Sequence, residues 1–488
     1  MNAQKLLSLL LVFMATSQIS QAQLDLNRIN WGPEHGSPSD GLIQRDLLAD
    51  DHFAYLVRKG SPNGTSAGEV ALEKFDLATG KHVEGKAYKR TWDGQALPIR
   101  AVFAWQNKLY LLRESKALSE QRTYIQEVNK ADLSLGTLTS LFADAVAREF
   151  TRFRIVQSPN ETCLLILGKQ QVAYGLGKQI KAHLIVLDTS MTVRQDRSLT
   201  LPTDRKQHLF EDVLVDDAAG AHLIGSYALE GEKGKLASGE QYHHSITSYL
   251  PGATEARQTV LPSEGANLTG ALYGITTDNQ LLLSQGRQGK KAYRTERIET
   301  TIFDGTTHEV IQRVVSEVDP DTKGEARLRR VLMREDGGLF YILMGETVTF
   351  FYSVDPNGQV QWNSRYVVES TPNYSTLLHQ GIFVHKGEIL GFFTDRLNND
   401  ERRKAGKAPL RNKVSGEDMV LRALQFSEAG LVNVQDAERR LRTAVGSVRT
   451  AWTIYDEDNS RLVFYKVRAT NTFKKFHRVG VLQLPEGR

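Results

Sequence analysis

The chain has 488 residues, 24% of them charged, a formal net charge of +4 and a single cysteine. That composition is ordinary for a globular protein and excludes an intramolecular disulfide; bulk charge decides nothing about partners, and no nucleic-acid partner is expected. No segment approaches the ~20 uninterrupted apolar residues that a membrane-spanning helix needs.

The first element in the chain is a targeting signal. Lys5 is followed by an apolar stretch from Leu6 to Ala15, a polar stretch, and small residues at Ser20 and Ala22 ahead of Gln23. This pattern reads as a secretory signal peptide over residues 1–22, cut before Gln23. Residues 23–488 are then expected as one exported domain, secreted or periplasmic.

From Leu42 onward a strand, tight turn and strand recur about eight times at intervals of roughly 50 to 70 residues, a spacing that marks a β-propeller. The turns fall near Asp50-Asp51, Gln106-Asn107-Lys108, Pro159-Asn160-Glu161, Asp217 to Gly220, Asp278-Asn279, Asp336-Gly337-Gly338, His385 to Gly387 and Asp458-Asn459. Such residues supply the backbone angles that hairpins require. The strand after each turn is apolar on both faces, as in Phe53 to Val57, Leu164 to Leu167, Leu339 to Met344 and Leu462 to Tyr465, so both faces must be covered, as in radially stacked blades. The first repeat divides into Leu42 to Leu48, His52 to Arg58, Val70 to Leu77 and His82 to Trp92. Cys163 opens one apolar second strand and reads as a small core residue.

Between a second and a third strand, residues 395–418 form a long basic insertion with Arg396, Arg402, Arg403, Lys404, Lys407, Arg411 and Lys413. Its length and its lack of large apolar residues predict a mobile loop. The last repeat stops after three strands, while Leu24 to Trp31 is strand-like and has no partner of its own. Pairing the two predicts an all-β propeller of eight four-stranded blades closed by the N-terminal strand, which hides two sheet edges. Seven blades is the alternative, because the insertion lengthens the 370–450 region.

No Gly-rich phosphate loop, no His-Glu-x-x-His, no Gly-x-Ser-x-Gly and no calcium loop of alternating acids is present, so neither a catalytic residue nor a metal site is assigned. His243-His244 reads as part of a polar loop, and Glu34-His35 as part of a turn or of the channel wall. Trp92, Trp105, Trp362 and Trp452 read chiefly as packing. The basic residues at the starts of the innermost strands form the most coherent set: Arg100, Arg152, His208, Arg329 and Arg449 are expected to line one mouth of the central channel, on the face that carries the long loops. A guanidinium matches carboxylate, sulfate or phosphate, which predicts a basic funnel for an anionic ligand. The alternative is that each Arg pairs with a carboxylate of the next blade, such as Glu149, Glu211 or Glu325.

Phe75-Asp76-Leu77-Ala78-Thr79-Gly80-Lys81, and more fully Val354-Asp355-Pro356-Asn357-Gly358-Gln359-Val360-Gln361-Trp362, resembles the third-to-fourth-strand turn of quinoprotein-like propeller repeats, where Asp-x-x-x-Gly precedes a Trp that packs between blades. The resemblance implies the propeller fold. Quinoprotein dehydrogenases also use a vicinal cysteine pair, absent here, so no cofactor is expected. Two functions remain: an exported binding protein whose basic loop face holds an anionic polysaccharide or another exported protein, or a propeller-type hydrolase or lyase acting on an anionic glycan.

Overall fold

The computed structural model describes residues 29–36, 42–60, 67–115, 121–144, 150–170, 179–202, 208–228, 242–261, 268–288, 295–318, 326–334, 336–345, 348–367, 381–385, 388–396, 398–407, 409–410, 419–427, 430–438, 446–448, 454–456, 459–469 and 475–484. Seven four-stranded antiparallel sheets follow one another along the chain, each strand pairing with the next. They are blade 1 (Leu42–Ala49 to His82–Tyr88), blade 2 (Ile99–Trp105 to Leu135–Asp144), blade 3 (Phe150–Gln157 to Val193–Pro202), blade 4 (His208–Val215 to Arg257–Leu261), blade 5 (Leu268–Ile275 to Val310–Glu317), blade 6 (Arg327–Met333 to Val360–Val367) and blade 7 (Ile382–His385 to Gly430–Glu438).

Blade 8 is made from both ends of the chain. Its inner edge is Gly446–Val448 with Ile454–Asp456, followed by Arg461–Ala469 and Lys475–Gln483; its outer edge is the N-terminal Asn30–Trp31 and His35–Gly36. Asn30 lies opposite Val481, and His35 opposite His477. The expected closure is therefore present over Asn30 to Gly36. Leu24 to Arg28, assigned to the same strand from sequence, lie outside the described residues, as does the whole of segment 1–22.

The apolar pattern explains why the ring holds. Eight apolar clusters each join two consecutive blades, one cluster per interface of an eight-membered ring. The last interface sets Leu47, Leu56 and Phe75 of blade 1 against Val463, Tyr465 and Val479 of blade 8. Second strands such as Leu164 to Leu167 are buried on both faces, and each such side chain contributes about 1.5–3 kcal/mol. Cys163 is buried at the start of that strand, its Sγ 3.7 Å from the Asp217 carbonyl, and burial pushes its thiol pKa up.

Hairpin turns between first and second strands recur with a left-handed residue, Asn107, Glu161, Ala219 and Asn279 among them. Two elements differ from the sequence reading. The fourth strand of blade 1 ends at Tyr88, and Thr91–Trp92 forms a separate small hairpin with Gln95–Ala96. The basic insertion is anchored in its first half: Asn399–Lys404 is a helical turn. The buried Asp395 carboxylate holds it through Arg403 at 2.6 Å and the Asn399 amide at 2.6 Å. The remainder, 411–418, lies outside the described residues. Among the described residues no helix is long and apolar enough to cross a membrane.

Candidate functional site

A repeated irregularity shapes the channel mouth on the loop face. In blades 1 to 6 the inner strand shifts register near its start, leaving one extra residue each time: Arg45, Arg100, Thr151, Glu211, Thr269 and Arg329. A bulge of this kind re-aims the side chains beside it, so simple alternation misassigns what faces the channel there.

The five residues singled out from sequence separate accordingly. Arg100 is an internal ion pair, its Nε 2.6 Å from the buried carboxylate of Glu114 in its own blade. This ion pair partly neutralises it, within its own blade. Arg152 and Arg329 are exposed and have no ion-pair partner among the described residues. His208 begins the inner strand of blade 4, paired with Tyr227, and its side chain lies outside the description. Arg449 lies outside the described residues.

Arg152 belongs to a cluster that sequence reasoning missed. It sits opposite Lys169 across the first two strands of blade 3, and Arg154, two residues on, shares its face. The Lys169 ammonium lies 4.5 Å above the Phe210 ring of blade 4. Arg154 reaches the Asp212 carboxylate at 2.9 Å. Burial and then the like charges of Arg152 and Arg154 push the Lys169 pKa below its ordinary value, with Asp212 opposing. Three cations thus lie together, with Arg154 paired to the Asp212 carboxylate.

Next to Asp212, a hydrogen-bonded chain crosses from blade 4 to blade 5. The Tyr273 hydroxyl donates to the exposed Glu211 carboxylate and lies 3.0 Å from Nδ1 of His244. His244 is therefore no loop residue: it is fully buried in the third strand of blade 4. Titratable groups and cations meet in this sector of the mouth, and neither the bulge at Glu211 nor the cross-strand position of Lys169 is visible in sequence spacing.

Two other polar constellations lie elsewhere in the ring. Asp216, His222 and Ser248 have the order of a hydrolytic triad, with Asp216 to His222 Nε2 at 3.0 Å and His222 Nδ1 to Ser248 Oγ at 2.6 Å. Yet Ser248 Oγ is also 2.6 Å from His308 Nε2, and all three residues are buried, so the hydroxyl has no open side for a substrate. At the opposite mouth a cavity of about 1070 Å³ is lined by Asp46, Asp50, Gln106, Gln157, Glu161 and Tyr455, among others. Burial works to raise the Asp50 pKa, but bonds from Lys130, the His52 and Phe53 amides and the Tyr55 hydroxyl win and hold it low. Burial raises that of Asp46. Four residues along a strand put the Cα atoms of Asp46 and Asp50 roughly 13 Å apart.

No family model matches the chain, and no curated protein matches it. Among solved structures, prolyl oligopeptidase B from Galerina marginata aligns at 9% identity and TM-score 0.42, over 93% of this chain and 55% of that one. This chain therefore spans little more than half of that peptidase. The β-propeller domain of the Trilobed protease from Pyrococcus furiosus aligns at 11% identity and TM-score 0.38, over 83% and 98% of the two chains. Polysaccharide lyase Uly1 aligns at 9% and 0.38, over 90% of each. At these values the likenesses carry no argument about activity, and the eight-bladed ring rests on its own strand pairing. The quinoprotein likeness remains one of turn residues.

Proposed function

We propose that the protein binds an anionic polysaccharide at the loop-face mouth, with Arg152, Arg154 and Lys169 of blade 3 as the seat. The observation that carries this reading is geometric: Arg152 lies opposite Lys169 and shares a face with Arg154, so the fold gathers three cations, with Arg154 paired to Asp212, an arrangement that an incoming carboxylate or sulfate relieves. Phe210 beneath the ammonium offers an apolar floor for a sugar ring. The N-terminal segment is proposed to export the chain to where such polymers occur.

A second reading, elimination or hydrolysis of the bound polymer, draws on the Glu211, Tyr273 and His244 chain, since a tyrosine held between a carboxylate and an imidazole is placed to exchange a proton. Binding of polygalacturonate and dextran sulfate should be measured at low and moderate ionic strength, with native protein and the Arg152→Ala, Lys169→Ala double variant. Salt-sensitive binding that the double variant loses supports the seat; equal binding by both proteins, or none at low salt, refutes it. Formation of an unsaturated uronate product by native protein but not by Tyr273→Phe establishes the enzymatic reading, and its absence with intact binding leaves a binding protein.

A further inference from the structure

Where the N-terminal strand closes the ring, three ligand-type side chains from separated parts of the chain meet. His35 comes from the closing strand, Glu73 from the third strand of blade 1 and His82 from its fourth. Their ligand atoms all lie within 4.8 Å of one another. The Glu73 carboxylate is divided: Oε1 accepts from Arg58 Nη2 at 2.7 Å, while Oε2 is 2.8 Å from His82 Nε2 and 3.7 Å from His35 Nε2. His35 Nε2 is buried and makes no hydrogen bond. The two imidazoles stack with centroids 3.6 Å apart.

We propose that this cluster is a site for a zinc-like divalent cation that fastens the ring closure. A buried imidazole nitrogen facing a carboxylate oxygen already engaged by a second imidazole is an incomplete arrangement for protons alone, because that oxygen accepts well from only one of them at these distances. A cation between the three atoms uses both nitrogen lone pairs and the oxygen at once. Two histidines and one carboxylate form a common protein ligand set for Zn²⁺, with a water completing the tetrahedron, whereas Mg²⁺ and Ca²⁺ prefer oxygen alone.

The surroundings fit such a role. Arg58 holds the remaining carboxylate oxygen and fixes the ligand's orientation, as second-layer partners of metal ligands do. Gly85 leaves room for that carboxylate, since a Cβ there would overlap Glu73 Oε2. The stacked rings must splay for their lone pairs to converge. His35 can turn, because its side chain is 27% exposed and sits on a two-residue strand.

The test uses the full chain, stripped with a chelator and then titrated with Zn²⁺ or Mg²⁺ against a chromophoric competitor, with melting temperature as a second readout. One Zn²⁺ per chain, a raised melting temperature, no response to Mg²⁺ and affinity at least about tenfold weaker in His35→Ala and in His82→Gln support the proposal. His35 is partly exposed, so its variant should fold and keep the comparison valid. Zinc uptake no greater than that of a His35→Ala, His82→Ala double variant, or single variants that bind as tightly as native protein, overturn it.

Discussion

The closing strand should fail if Gly32 gains a single methyl group. Gly32 is buried where the N-terminal segment crosses the turn at Gly80, and a Cβ on it would overlap the Gly80 carbonyl and Cα, which are backbone and cannot swing aside. Gly32→Ala must therefore lift the strand. The lift breaks the bond from the Gly32 amide to Val479 O at 3.0 Å and that from Arg478 Nε to Gly32 O at 2.7 Å. The first costs about 1 kcal/mol and the charged one about 1.5–3. Ile29, packed on Leu462 and Leu482, loses about half of the ~1.5–3 kcal/mol its burial provides. The sum is about 3–5 kcal/mol. With an unfolding entropy of roughly 2.1 cal/mol/K per residue, a chain of this length loses about 1 °C of melting temperature per kcal/mol, so calorimetry should record a fall of about 3–5 °C. Gly274→Ala is the control, because a Cβ there meets nothing within 4 Å. A Gly32→Ala protein that melts with the native one, or falls no further than Gly274→Ala, refutes the reasoning.

Burial, followed by the like charges of His222 and Arg257, pushes the pKa of His308 down to about 4. The unfolded chain, titrating near 6.5, then binds the extra proton between those values, so stability is full above about pH 6.5 and falls by about 3 kcal/mol as the pH drops through 4; His308→Gln should flatten that part of a denaturation profile. Cys163 should resist thiol reagents in the native state, and fast labelling of folded protein would contradict its burial. Asp395→Asn removes the carboxylate facing Arg403 and Arg422, at a cost of about 3–5 kcal/mol, and should speed tryptic cleavage at Arg402 and Arg403; an unchanged cleavage rate would show that the helical turn has another anchor.

The architecture was legible because its signals are local. Leu164 to Leu167 advertise a strand covered on both faces, and Asn107 or Asn279 advertise a turn whose backbone angle few residues accept. The missing outer strand of the last repeat pointed to the N-terminus, although the described pairing begins only at Asn30. What escaped depends on distant partners. Arg100 reads as a channel cation until Glu114 is seen to neutralise it, and Asn399–Lys404 reads as loose chain until the Asp395 carboxylate gathers it. His244 looked like a loop residue because its neighbours are polar; its partner, Tyr273, belongs to the following blade. The bulges did further damage, since one extra residue inverts the inside-outside reading of everything on one side of it.

The seam at Gly32 and Arg478, which are 446 positions apart, also sets a timetable. A ribosome makes residues 30–36 before any of blades 1 to 7, yet their partners on the Lys475–Gln483 strand emerge only after all seven. Until that strand appears the nascent arc carries one bare sheet edge and an unemployed N-terminal ribbon, and the contact that completes the circle is one of long reach and slow search. Any second chain in the same unfinished condition can supply the missing ribbon, so the intermediate is open to strand exchange between copies until the final blade is made.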